Sequence, residues 1–343
     1  MKSIFKCGMV RALLTALAVF AQSCQAANLT GRDVHIDGPL SNIAVEAWKS
    51  GNFVAEKLFP TVPVQKQSDG YYIITKNTWL RTPSSTLRAP KTAPRRIEFD
   101  VSTDTYFANN YALAGENSKE ALANSDSPIL LRARTARLVV ESLMRDKEQR
   151  IANKVTSITN IGSGVVLTGG NKWSDYLNSD PVSDITTGHA FIRQNTGVKA
   201  NTLLLDEDTS QILRRHPVLL DMYKYTQGGL LNDAELLEVF KVKQLLISDA
   251  IRNAANEGGT ASIVNIWGNN ALLCYIDTAP PGLQTCTFGL GFNWQAPELV
   301  ASMAARVYDD PDPGKKLELT EVGYYADEKI IAQQLSYLVG STL

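Results

Sequence analysis

The side chains best suited to chemistry are few in this chain, and their spacing is unhelpful to catalysis. Three histidines occur, His35, His189 and His216, and none stands in an H-x-x-x-H or C-x-x-C frame. A local metal site therefore has no support. His216 precedes Pro217 at a helix junction and reads as structural. No G-x-S-x-G elbow and no Walker A sequence is present, and the glycines of 162–170 read as turn and loop. Asp206 and Asp208 read as helix caps and surface groups. Nothing nominates a general base with an orienting partner, so the chain does not read as an enzyme, and no cofactor is implied.

The stronger signal is a run of cations. Arg81, Arg88, Lys91, Arg95 and Arg96 lie in a stretch broken by Pro83, Pro90 and Pro94, with no acidic residue between Lys76 and Ile97. This chemistry is electrostatic attachment to an acidic neighbour. Stacking on nucleic-acid bases is less apt, because Trp79 is the one aromatic residue there. Net charge is −1, so there is no global basicity either.

Elements must hold that run in place. Tyr71–Thr75 and 97–112 read as strands, rich in β-branched and aromatic residues. Together they predict a long two-stranded arm at 61–115, carrying the bases at its tip. After it, Ser127–Val155 predicts one long helix. Ile129, Ala133, Ala136, Val140, Leu143, Met144, Ile151 and Val155 recur at three- and four-residue steps, with Ser127 as cap and Pro128 at the first helical position. Such a helix is roughly 40 Å long, a spine onto which sheets can pack. Its arginines and acids read as a solvated face with i,i+4 pairs.

Before the hairpin, 34–60 reads as an apolar arm without a clear long period, holding Trp48, Phe53 and Phe59. Residues 1–33 are a signal-like leader or a start assigned too far upstream, with Val34 as the natural beginning. The apolar run Ala12–Ala21 is too short to span a bilayer comfortably. Taken alone, this leader suggests an exported soluble binding protein of the periplasm. Residues 201–300 alternate short strands and helices, with strands at 202–205, 242–247, 261–266, 271–276 and 287–292, and Asn232 capping a helix Ala234–Phe240. Strands follow at 302–308, 316–322 and 324–336. Four cysteines do not make a disulfide scaffold, and Cys274 and Cys286 read as buried thiols. The class is α+β.

Four blocks then carry a family likeness: SNIAVEAWKSGNFVAEKLFPTVPVQKQSDGYY, NKWSDYLNSDPVSDI, NTLLLDEDTSQILRRHPVLLDMYKYTQ and ASIVNIWGNNALLCYID. In this order, from about Val34 to the C-terminus, the chain resembles the major capsid proteins of tailed bacteriophages. The resemblance implies the Hong Kong 97-like fold: an N-terminal arm at 34–60, an extended loop at 61–115, a peripheral domain at 116–195 and 301–343, and an axial domain at 196–300. It implies self-assembly into hexamers and pentamers of an icosahedral shell around double-stranded DNA, formed in the host bacterial cytoplasm. The partners implied are further copies of itself, a portal, a separate scaffolding protein and non-specifically held DNA, with no membrane. The family brings no catalytic residues. The candidate subunit contacts are Arg81, Arg88, Lys91, Arg95 and Arg96 at the loop tip and Trp48, Phe53 and Phe59 in the arm.

Overall fold

The structure is a computed structural model, and it describes residues 38–50, 53–74, 86–94, 96, 101–125, 128–223, 230–256, 258–277, 287–296, 303–312 and 314–343. Among these, no helix is long and apolar enough to cross a membrane.

The expected spine is present as a helix over Pro128–Val155 (α4 in chain order). Among the described residues three shorter helices precede it: α1 Gly38–Ser50, α2 Ala55–Leu58 and α3 Lys119–Asn124. The arm is thus helical where no long period was expected. Leu40 and Ala44 are buried, with Ile43 and Ala47 packed beside them. The period is there, but two of its four positions are alanines, which give a weak apolar signal.

A first sheet lies against the spine. It contains β1 Thr61–Val64, β4 Asn109–Ser118, β11 Gly289–Trp294, β12 Ala304–Asp309 and β13 Leu317–Ile330. β13 is the organising strand. One side pairs with β4 over residues 317–326; the other pairs with β12 over 318–323 and with β11 over 326–330. Alternate residues Thr320, Val322, Tyr324, Ala326 and Glu328 are buried, as the two-residue period of a strand requires. The sequence suggested a break near Gly323. The strand runs through it, and there a Cβ would come within 3.2 Å of the Ala112 Cβ across the ladder. The glycine serves close approach, not a turn.

A second sheet has the order β5-β14-β10-β6-β7, with β5 Gly164–Val166, β6 Thr202–Asp206, β7 Gln244–Ser248, β10 Asn270–Cys274 and β14 Ser336–Gly340. Around it lie α5 Pro181–Thr196, α6 Glu207–Leu213, α7 Pro217–Tyr223 and α8 Asp233–Phe240. Helix α5 starts on the Asp180 cap and ends at Gly197 in the left-handed conformation. The cap foreseen for α8 closes reciprocally: Asn232 Oδ1 accepts from the Glu235 amide at 2.9 Å, and the Glu235 carboxylate accepts from the Asn232 amide at 2.8 Å. Two further strand pairs occur among the described residues, β2 Ser68–Ile74 with β3 Val101–Phe107, and β8 Ile251–Asn253 with β9 Ile263–Asn265.

The sheets cross the sequence-drawn boundaries. β11 falls within 196–300 yet pairs in the first sheet, while β14 falls within 301–343 yet lies inside the second. Helix α5, placed before residue 195, packs on β14 and β10. Strand partners are distant in the chain, so composition does not reveal the exchange.

Two main cores result. One joins α1, the first part of α4 and the first sheet through Leu40, Val140, Met144, Val322 and Tyr324. The other gathers the second sheet, its helices, the α2 segment and the end of α4 through Ile151, Leu203, Leu272 and Trp267. The spine passes from one core to the other.

Candidate assembly surface

The β2–β3 hairpin leaves the first sheet at an aromatic root. Tyr106 stacks on Phe292 of β11 with ring centroids 4.5 Å apart, and Tyr71 lies 5.3 Å from the same ring. The Tyr71 hydroxyl donates to Asp104 at 2.8 Å, and the Phe107 amide donates to Asp327 of β13 at 3.0 Å. This fixes where the hairpin departs. The strands are seven residues each, giving a reach of about 20 Å. Farther along, 86–94 is exposed throughout, with Leu87 93% exposed. Within it Ala89-Pro90-Lys91-Thr92 makes a turn: the Thr92 amide bonds Ala89 O at 3.3 Å, and Lys91 takes φ 65°. That positive φ follows proline as in a type II turn, a position glycine usually fills.

Of the expected tip cations, Arg88, Lys91 and Arg96 are exposed. Arg81 and Arg95 lie outside the described residues, as does the side chain of Trp48. The two arm phenylalanines part company. Phe59 is 1% exposed and packs edge-on against Phe288 at 5.7 Å, over Gly289. The expectation that Phe59 contacts a neighbour is therefore corrected: Gly289 leaves room for its ring inside the subunit. Phe53 is half-buried and lines an open cleft of about 590 Å³ between α1, α4 and the start of β8, with Glu46, Glu141, Met144, Arg145 and Ile251.

The spine's charges are divided. Arg145–Glu141 and Arg150–Asp146 form the expected i,i+4 pairs. Other charges turn inward, against expectation. Arg132 grips Glu318 of β13 with two bonds of 2.6 and 2.7 Å. Arg150 reaches the Tyr324 hydroxyl at 3.0 Å and Glu328 at 3.1 Å, and covers the Tyr111 ring at 3.7 Å. Arg134 and Arg137 stand exposed. At the helix start Ile129 is also exposed, so the apolar stripe is buried from Ala136 onward.

Sequence reasoning passed over Glu148. It is fully buried on α4, and its carboxylate accepts from the amides of Val54 at 3.2 Å and Ala55 at 2.9 Å and from Trp267 Nε1 at 2.6 Å. Burial pushes its pKa up, against the pull of those three donors and of Lys147. A signal existed: Glu148 falls between Met144 and Ile151, on the apolar stripe itself.

His216, His189, Asp206 and Asp208 bond to partners within the fold. His216 is buried with Nε2 2.9 Å from Ser179 Oγ. Ser179 donates its own proton to Asp175 O at 2.7 Å, so the imidazole Nε2 is the donor in that pair. His189 Nε2 meets Phe240 O at 2.8 Å. Cys274 is buried and its thiol pKa is pushed up by burial, while Cys286 lies outside the described residues. Asp206 makes no side-chain cap; with Asp208 it accepts from Asn265 Nδ2, each at 2.8 Å. Among the described residues no group of three or more His, Cys, Asp or Glu side chains is placed to hold a metal.

A long helix under one sheet, a projecting hairpin and a second sheet with its own helices make up the described fold. No protein-family model matches the chain. The major capsid protein of Pseudomonas phage JBD67 is 28% identical over 265 residues, covering 76% of this chain and 83% of that one. A phage-related protein of Bordetella bronchiseptica RB50 superposes with TM-score 0.72 at 22% identity, covering 90% of this chain and 98% of its own. The capsid of cyanophage P-SCSP1u gives TM-score 0.51 at 10% identity, covering 84% and 88%. The chain has the Hong Kong 97-like phage capsid fold.

Proposed function

We propose that this chain is a major capsid protein, which self-assembles into hexamers and pentamers of an icosahedral shell enclosing double-stranded DNA. The observation that carries the reading is the similarity to a phage major capsid protein along 76% of the chain, joined to the shared fold. Its place is the virion capsid, after assembly in the host cytoplasm, with a portal and a scaffolding protein as further partners and packaged DNA held without sequence preference. Its role is structural: it presents surfaces to other copies and carries out no reaction.

The hairpin supports a specific mode of contact. On this reading the first sheet with α4 is the peripheral body, the second sheet the axial body and β2–β3 the root of the extended loop; an exposed tip bearing Arg88, Lys91 and Arg96 lies over the peripheral body of the next copy, where carboxylates meet it. Each exposed ion pair contributes ~0–1 kcal/mol. The tip therefore sets register, while apolar burial supplies most of the affinity. Phe59 is committed inside the subunit, so that burial falls to residues such as Leu87 and to the cleft beside Phe53. Head-to-tail contacts of this kind close into rings at the right rotation.

The test is expression of the chain, followed by negative-stain microscopy and mass spectrometry of its N-terminal peptide. Closed particles from a product beginning near Val34 support the reading. A monomer outside the cytoplasm, beginning near Ala27, would favour the exported binding protein and end it.

A further inference from the structure

The spine crosses from the first core to the second at residues 145–150, and there it buries charge where its neighbours bury hydrocarbon. Met144 belongs to one core and Ile151 to the other. Between them Lys147 and Glu148 are buried, with Lys147 Nζ 2.8 Å from Glu56 Oε1. Glu148 draws its three donors from two other segments: the entry to α2, and Trp267 in the connection between β9 and β10. All three donors are neutral. A buried carboxylate held this way is poor value as stabilisation, since a well-packed apolar side chain serves a core as well or better. It does impose direction, because each acceptor position must meet its donor or leave that donor unsatisfied.

We infer that Glu148 is the joint that sets the angle between the peripheral and axial bodies, and through it the curvature a copy brings to the shell. This rests on the assembly reading above. Apolar burial is non-directional, so the spine's hydrocarbon contacts set the angle less sharply than directed hydrogen bonds do. The three bonds of Glu148 tie arm, spine and axial body into one arrangement. Lys147–Glu56 ties the same α2 segment to the next position on the spine.

The experiment compares the full-length chain with E148Q and W267F. It reads the diameter distribution of particles by cryo-electron microscopy and the hydrogen exchange of the Val54 and Ala55 amides. In E148Q, Gln keeps the shape but turns an N–H₂ towards a donor. Those amides should exchange at least tenfold faster, and particles should spread over several diameters or stay open. W267F removes one N–H and keeps an aromatic ring; an intermediate broadening is expected. Faster exchange with an unchanged diameter distribution in both variants would overturn the inference. Should E148Q fail to fold, W267F particles matching the unsubstituted ones would do the same. An unsubstituted chain that forms no particles defeats the assembly reading instead, and the joint then falls if exchange at Val54 and Ala55 is unaltered in E148Q.

Discussion

Asp206 holds its proton unusually well. Burial raises its carboxyl pKa to about 6, with Asp208 and Glu207 adding to the rise and Asn265 opposing it. The folded chain thus binds this proton more tightly than the unfolded chain, whose carboxyl titrates near 3.9. The group favours folding below that range and loses its contribution as pH climbs through about 6. Between pH 4 and 7, the unsubstituted chain should lose melting temperature relative to D206N, by roughly a few degrees; a constant difference would contradict this. Gly115 makes the second test. A Cβ there would come within 2.4 Å of Thr135 Cγ2 and 2.9 Å of Val139 Cγ2 on the spine. G115V should lower unfolding free energy by about 1–3 kcal/mol or more, read by denaturant titration. Neither residue announces its role in the sequence: Asp206 looks like a cap, and Gly115 like any glycine in a strand.

Among the elements, those governed by local periodicity were the most legible. The spine follows from its apolar steps and Pro128, and the Asn232 cap from its own neighbourhood. The pairing of β1 with β11, 230 residues apart at Val62 and Phe292, has no local signature. Nor does the inward turn of Arg132 and Arg150, since Glu318 and Glu328 approach them only in the folded sheet. The exposure of 86–94 was legible because a stretch of cations and prolines with no acidic partner in it cannot enter a core. The hairpin's root was missed, because the two tyrosines look like ordinary strand residues until Phe292 arrives beside them. Y106A should loosen that root. Limited proteolysis within the hairpin should then accelerate several-fold while the rest of the chain keeps its resistance; an unchanged cleavage rate would show that the aromatic stack does not hold it.

Taken whole, the molecule should assemble through many modest contacts, and salt is the lever that separates them. Replacing Arg88, Lys91 and Arg96 together by serine removes three exposed cations. Particle yield should fall most clearly at low salt, where the attraction of those cations is least screened, and the difference should narrow as salt shortens the screening length to about 8–10 Å. Sedimentation across a salt series reads this, and normal particles throughout would remove the tip from the mechanism. The variant leaves both cores untouched, so subunit melting should stay within roughly 0.5 kcal/mol of the original.

Strand β14 separates β5 from β10 in the second sheet, although it follows both in the chain. During translation that sheet stays in two pieces until residues 336–340 have cleared the ribosome. A copy whose synthesis halts earlier lacks the inner member of its own scaffold. On the capsid reading proposed above, a copy halted before residue 336 should be left out of growing particles by its own unfinished fold.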